Sequence, residues 1–296
     1  MTSSTYCIAS HSLLVVCADE LDSAQLLPSF APFVLPLAAD SPLLTMHVEM
    51  GTPTDFTSWD EIGQFDCGGA NHGVYRDAEG HHGFEISLPG TDHHIACTMM
   101  ADSDFSHCRA TLVKGSLRQQ QFGLNNALMM AYAFAAATLD TLLIHASVIR
   151  KDGYGYLFTA PSGTGKSTHT HLWYKNIPDC DLMNDDNPVI RLIDGKAYIF
   201  GSPWSGKTPC YRNISAPIGA ITRLEQRPAN EIRRMGALEA FTTLLPAVSS
   251  MKWDRRVYMG ICQTISNMIK TTPVYWLGCL PDAEAALLSY QTIAVK

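Results

Sequence analysis

Ala160-Pro161-Ser162-Gly163-Thr164-Gly165-Lys166-Ser167 is the stretch whose reading decides how this chain folds. It matches the phosphate-binding loop pattern, with alanine where the first glycine usually stands. A glycine-rich turn lets several backbone N–H groups face one phosphate chain, and the helix behind it adds unpaired N–H groups and a positive dipole end. Such a loop needs a strand before it and a helix after it. Gly155-Tyr156-Leu157-Phe158-Thr159 is short and apolar and reads as the strand. Ser167 to Tyr174 can continue as a helix until Pro178. The expected cradle is therefore Ser162, Gly163, Thr164, Gly165, Lys166, Ser167 and Thr168, holding ATP or a related nucleotide. Lys166 would reach the β- and γ-phosphates, and the Ser167 hydroxyl would sit on Mg²⁺.

Working outward, Leu142 to Ile149 reads as an apolar strand holding His145, and Asp152-Gly153 as the hairpin turn into the loop strand. Beyond the loop helix come Asp185-Asp186. Val189–Ile193 and Ala197–Phe200 follow as a second hairpin around Asp194-Gly195. Strands on both sides of the loop helix predict a mixed sheet. Helices over 238–245, 255–269 and 282–294 are expected to pack on it.

Paired carboxylates after a phosphate loop suit phosphoryl transfer, which needs a held metal ion and a group to position the nucleophile. Ser167 is an expected metal ligand; of Asp185 and Asp186, one would sit on the metal, directly or through water, and the other would face the acceptor hydroxyl, with Lys166 on the phosphates. The plainer alternative for Asp185-Asp186 is a pair of turn aspartates beside Asn187-Pro188. A lone histidine near a strand, such as His145, is more often a satisfied core residue than a catalyst. Gly201-Ser202-Pro203-Trp204-Ser205-Gly206-Lys207 could grip an acceptor through Ser202, Trp204 and Lys207, and reads equally as an ordinary turn. Ser250 to Arg256 reads as a solvated helix start with arginines.

Residues 1–115 read as a β-rich domain. Strands are expected over 6–16, 43–49, 94–100 and 108–114, with a hairpin over 73–88, giving an antiparallel meander. Gln119 to Leu139 is an alanine-rich helix at the joint, opening a second domain over 116–296. The 296 residues are 46% hydrophobic and 17% charged, which gives a sizeable core and excludes disorder. A net charge of −7 argues against nucleic-acid and anionic-membrane partners. The most apolar run, 127–137, is too short to span a bilayer. Nine scattered cysteines without a C-x-x-C pair, and no export signal, point to a cytoplasmic protein with reduced thiols. Cys67, His72, His81 and His82 fit no standard zinc spacing.

His145, a strand, a turn, a second strand, the loop Gly163–Ser167 and then Asp185-Asp186, in that order, resemble the core of HPr kinase/phosphorylase and its relatives. That core is similar in turn to the nucleotide domain of ATP-dependent phosphoenolpyruvate carboxykinase. The resemblance spans residues 142–206, about a fifth of the chain, and the ordered set is more specific than the loop alone. It implies an α+β or α/β architecture: a P-loop, HPr-kinase-like mixed-sheet core preceded by the β-rich region. It implies ATP and Mg²⁺ as cofactors, Asp185 as the base that deprotonates an acceptor hydroxyl, Asp186 assisting it or the metal, and His145 close to the phosphates. It also allows a homo-oligomer. The Glu-Ile-Arg-Gly signature of HPr kinases is absent, as is the carboxykinase metal-ligand set, so neither HPr nor oxaloacetate is implied as acceptor. The function expected is an ATP-dependent phosphotransferase acting on a protein, peptide or metabolite hydroxyl. The alternatives are a non-catalytic nucleotide-binding sensor or assembly module and, more weakly, a carboxykinase-like lyase.

Overall fold

Two large mixed sheets account for most of the chain, and each belongs to its own unit. The computed structural model describes residues 1–37, 40–67, 70–90, 94–206 and 208–295. Contacts divide the chain into Met1–Ala136 with Met251–Asp254, and Ala137–Ser250 with Arg255–Lys296. The alanine-rich helix thus goes with the first unit, a correction to the expected joint at 115/116.

The first unit carries β1 (Thr2–Ile8), β2 (His11–Cys17), the short helix α1 (Ser23–Leu26), β3 (Val34–Leu35) and β4 (Leu44–Gly51). It continues with β5 (Asp60–Cys67), β6 (Ala70–Arg76), β7 (His82–Ser87), β8 (Ile95–Ala101), β9 (His107–Val113) and α2 (Leu117–Ala136). The sheet order is β3-β1-β2-β4-β9-β8-β7-β6-β5. The expected single strand over 6–16 is two strands. Ala9 and Ser10 take φ of 50° and 63°, so they form the tight turn of a hairpin without the usual Asn or Gly. The expected all-antiparallel meander is corrected as well, since β4 runs parallel to both β2 and β9. The reason is topological. The chain leaves β2 through α1 and a 3₁₀ turn before returning as β4, and the β5–β8 meander closes back on it through β9. α2 buries Leu124, Leu128, Tyr132 and Phe134, and the Tyr132 hydroxyl donates to the Ile8 carbonyl at 3.2 Å. Trp253 of the Met251–Asp254 segment packs on Phe65, and Asp254 lies 3.5 Å from His82 Nε2.

In the second unit β10 (Thr141–Leu143), β11 (Ala146–Lys151) and β12 (Tyr154–Thr159) lead to α3 (Lys166–Asn176). Then come β13 (Asp181–Asp186), β14 (Val189–Ile193), β15 (Lys196–Phe200), β16 (Ser215–Gln226), β17 (Glu231–Arg234), α4 (Ala237–Leu244), α5 (Arg255–Thr271), β18 (Val274–Cys279) and α6 (Ala283–Ile293). The order is β10-β14-β15-β16-β12-β11-β13, with β18 on β16 and β17 on β18. Both aspartate–glycine hairpins form with φ positive at each turn residue, as a primed turn demands. The three helices expected in the C-terminal third are α4, α5 and α6. In this unit β16, β17 and β18 escaped the sequence reading. The 12-residue β16 and the shorter β18 run parallel to β12 and put it inside the sheet. Among the described residues no helix is long and apolar enough to cross a membrane.

α3 is held against the sheet by the face that carries His169 and Trp173. Trp173 is fully buried against Tyr156 and Phe158, and its indole N–H donates to Ser289 Oγ on α6 at 2.7 Å. His169 lies against Phe158 and meets the same hydroxyl at 3.1 Å. Burial pulls its pKa down from 6.5 to about 4. The unfolded chain therefore takes up this proton first as the pH falls. Stability is full above pH 6.5 and drains away toward pH 4, where the folded form protonates too. The expected loss from this group is on the order of 2 kcal/mol by pH 5. Thermal melts of wild type and His169→Gln between pH 7 and 5 check it: the variant's melting temperature should fall less steeply, and parallel curves would refute the assignment.

Candidate functional site

β12 delivers the chain to the loop at its C-terminal end, the edge of a parallel strand where ligands collect in α/β sheets. Ala160 is buried and keeps an ordinary backbone, so alanine fits where a glycine is usual. Gly165 does require glycine. It is the N-cap of α3 at φ 116°, and it offers no side chain to the helix's first N–H groups. No acidic residue stands in the first turn of α3. The helix end is thus left ready for an anion supplied from outside. From β16, Gln226 Nε2 donates to the Thr164 carbonyl at 3.1 Å and ties the loop tip to the sheet.

Lys166 is nine-tenths buried. Its ammonium donates to the Ala160 carbonyl at 3.1 Å and meets His145 Nε2 at 2.7 Å. Burial pushes its pKa down. The Asp186 and Asp185 carboxylates push it back up, and the Arg223 guanidinium adds to the fall. His145 occupies the break between β10 and β11. Its N–H donates to the Ala247 carbonyl, and its own carbonyl accepts from Thr159 Oγ1. That break corrects the expected single strand over 142–149. The backbone turns here because His145 bonds outside the ladder, and the imidazole is thereby brought to the loop. Its other nitrogen, Nδ1, lies 2.9 Å from Asp186 Oδ1.

The two carboxylates end β13, which pairs Ser147 with Asp185 and Ala146 with Asp186. Successive strand residues face opposite ways, and the pair divides accordingly. Asp185 is only 4% exposed and accepts from Ser167 Oγ at 2.9 Å. The Asp186 side chain is 32% exposed and accepts from Asn187 Nδ2 besides meeting His145. Two bonded sets, Lys166–His145–Asp186 and Ser167–Asp185, therefore meet at the N-terminus of α3, where Lys166 and Ser167 are neighbours in the chain.

The loop after β15 takes a different part from the one expected of it. Ser202 and Trp204, expected to meet a substrate, both point inward. Ser202 is fully buried: its hydroxyl donates to the Asn187 carbonyl at 2.6 Å and accepts from Asn184 Nδ2 and the Trp204 N–H. Trp204 is 2% exposed, and its carbonyl accepts from the Asn184 amide. Lys207 lies outside the described residues. A buried polar group must be hydrogen-bonded or it costs stability, and this knot occupies the Asn184 amide N–H groups and the Ser202 hydroxyl. The knot also fixes the end of β13, because the Gly206 N–H donates to the Asp185 carbonyl and Ser205 bridges Asp186. Arg223, Gln226 and Asn184 were not singled out by the sequence reading. A polar Thr-Arg pair and a terminal Glu-Gln inside the apolar run 216–226 were the available signal for the first two.

Elsewhere, His72 and His82 are buried in β6 and β7, and the Cys67 side chain lies outside the described residues. Asp77, Glu79 and His81 gather on the β6–β7 turn, where Asp77 accepts from both following N–H groups and thereby closes the turn.

No family model and no curated protein matches this chain. Among solved structures it is similar to the Hpr(Ser) kinase/phosphatase from Coxiella burnetii, at 12% identity and a TM-score of 0.30. That similarity covers 50% of this chain and 91% of the other. This is a weak structural neighbour.

A side chain at Gly201 tests the buttress. A Cβ there would lie 2.0 Å from the Arg212 carbonyl oxygen, which is backbone and cannot step aside. Gly201→Ala should cost about 1–3 kcal/mol, read as a lower denaturant midpoint. An unchanged midpoint would mean the loop is free to move.

Proposed function

We propose that this protein is an ATP-dependent phosphotransferase that moves the γ-phosphate to a hydroxyl of a protein, peptide or small metabolite, on a P-loop core of the HPr-kinase kind. One observation carries the reading: at the N-terminus of one helix the loop lysine is bonded to His145, which in turn meets Asp186, and the neighbouring loop serine is bonded to Asp185. A loop that merely bound nucleotide would not need a partly exposed carboxylate held beside it.

The backbone N–H groups of the loop and first helical turn take the β- and γ-phosphates, and Lys166 turns from His145 onto their oxygens. Ser167 Oγ and the Asp185 carboxylate, 2.9 Å apart, are all-oxygen donors of the kind that suits Mg²⁺. When bound there, the ion supplies charge neutralisation for the phosphate oxygens. Asp185 is too buried to meet an acceptor, so we assign the base to Asp186, which the resemblance had given to Asp185. His145 and Asn187 hold the Asp186 carboxylate in place. It takes the acceptor's proton as the acceptor oxygen bonds to the γ-phosphorus, and the bond to the bridging oxygen breaks to release ADP with the electron pair.

Transfer of γ-labelled phosphate from ATP into a lysate of the source cell tests this. Lys166→Ala should abolish the label. Asp186→Asn should lower transfer by about 10²-fold or more while ATP affinity stays within about threefold. Asp185→Asn should instead weaken Mg²⁺-dependent nucleotide binding. Full transfer by Asp186→Asn would overturn the assignment. ATP binding with no label in any fraction would favour a nucleotide-binding sensor.

A further inference from the structure

Resting on the nucleotide reading above, we propose that the cavity beside Trp276 is the seat of the nucleotide's base, and that it selects an amino-bearing purine such as adenine. The cavity measures about 360 Å³ and is lined by Glu225, Arg227, Glu231, Ile232, Arg233 and Trp276.

Position comes first. The sheet order puts β11 and β13, with both carboxylates, on one side of the loop strand and β16 on the other. The reacting end of a phosphate chain lies toward β13, so the nucleoside end leaves over β16 and β18. The C-terminal ends of those parallel strands carry the cavity. Gln226, which holds the loop tip, stands between Glu225 and Arg227 in sequence. Trp276 is the register partner of Arg223 on β16 and of Arg233 on β17, so these side chains share one face. Arg223 is also the guanidinium felt by Lys166 in the loop.

Chemistry comes second. The Arg233 and Arg227 guanidinium groups lie 5.3 and 5.9 Å from the centre of the Trp276 ring. Both are already neutralised, Arg227 by Glu225 and Arg233 by a two-pronged pair with Glu239. Neither of these two lining guanidinium groups is left uncompensated for an anion. What the cavity offers is a wall of indole and guanidinium planes, the kind of flat surface on which a neutral heterocycle stacks. It also offers the Glu231 carboxylate as an acceptor for an exocyclic amine. Trp276 is itself oriented, since its indole N–H donates to Glu225 Oε2 at 2.7 Å. Gly278 makes the room: a Cβ there would lie 2.7 Å from the indole and 2.8 Å from the Arg227 stem.

Calorimetric titration with Mg-ATP and with Mg-tripolyphosphate tests the proposal, because the second ligand has phosphates and no base. Wild type should bind ATP more tightly than tripolyphosphate. Trp276→Ala should weaken ATP binding by at least about tenfold and leave tripolyphosphate within twofold, while Trp276→Phe should restore most of the loss. Glu231→Gln should narrow the preference for ATP over inosine triphosphate. Equal affinity of wild type for ATP and tripolyphosphate, or unchanged ATP affinity in Trp276→Ala, would overturn the base seat and leave the phosphate loop standing. An equal loss of both ligands in Trp276→Ala, not rescued by phenylalanine, would count as damage to the fold and against the proposal. Binding of neither ligand by wild type would bring down the phosphate-loop reading, and this one with it.

Discussion

The hydrogen bond from Ser167 to the buried carboxylate of Asp185 is the constraint around which the second unit is arranged. A carboxylate out of water is costly unless it is bonded and faces positive charge. Here the partner comes from the first turn of α3, with Lys166 nearby. To deliver that partner, α3 must start where β12 ends, and β13 must end beside it. Both follow from the β12-β11-β13 order. The buried Asn184–Ser202–Trp204 knot then holds β13 from behind. The Ser167 and Ser202 hydroxyls, the Asp185 carboxylate and the Asn184 amide N–H groups each find a partner in this arrangement, which is how these polar groups are accommodated inside an apolar sheet.

The same arrangement separates two carboxylates that are adjacent in sequence. Asp185 turns inward to the serine, and Asp186 turns outward to His145 and Asn187. Strand alternation gives the two residues different environments at no cost in backbone strain. On the proposed function their roles divide by access: one would hold, and the other would exchange a proton with something that arrives from solvent.

Much of the second unit was legible from local chemistry. Asp152-Gly153 and Asp194-Gly195 declare their hairpins because few residues tolerate positive φ. The loop declares itself by glycines that a tight anion cradle needs. The reading failed where the deciding contacts were distant. β16 and β18 carry no turn marker that separates them from helix or loop, and they are strands because β12 needs neighbours on its second edge. The hairpin at Ala9-Ser10 uses residues with no turn signature. In the first unit, β4 is parallel to both neighbours because of how the chain returns, and no local pattern encodes that return. Ser202 and Trp204 looked like ligand contacts because glycine, proline and hydroxyls mark both binding loops and buried knots. Burial alone tells them apart.

The sequence by itself determined the loop, its flanking strand and helix, the aspartate–glycine hairpins and the presence of the carboxylate pair, because each rests on backbone geometry within a few residues. Tertiary structure alone decided which aspartate is buried, that His145 stands between Lys166 and Asp186, and that Trp276 and its arginines line a cavity beyond the loop. Those facts depend on which strands become neighbours. Strand neighbours are chosen by the burial of whole apolar faces across the sheet, a sum over distant residues that no short stretch contains.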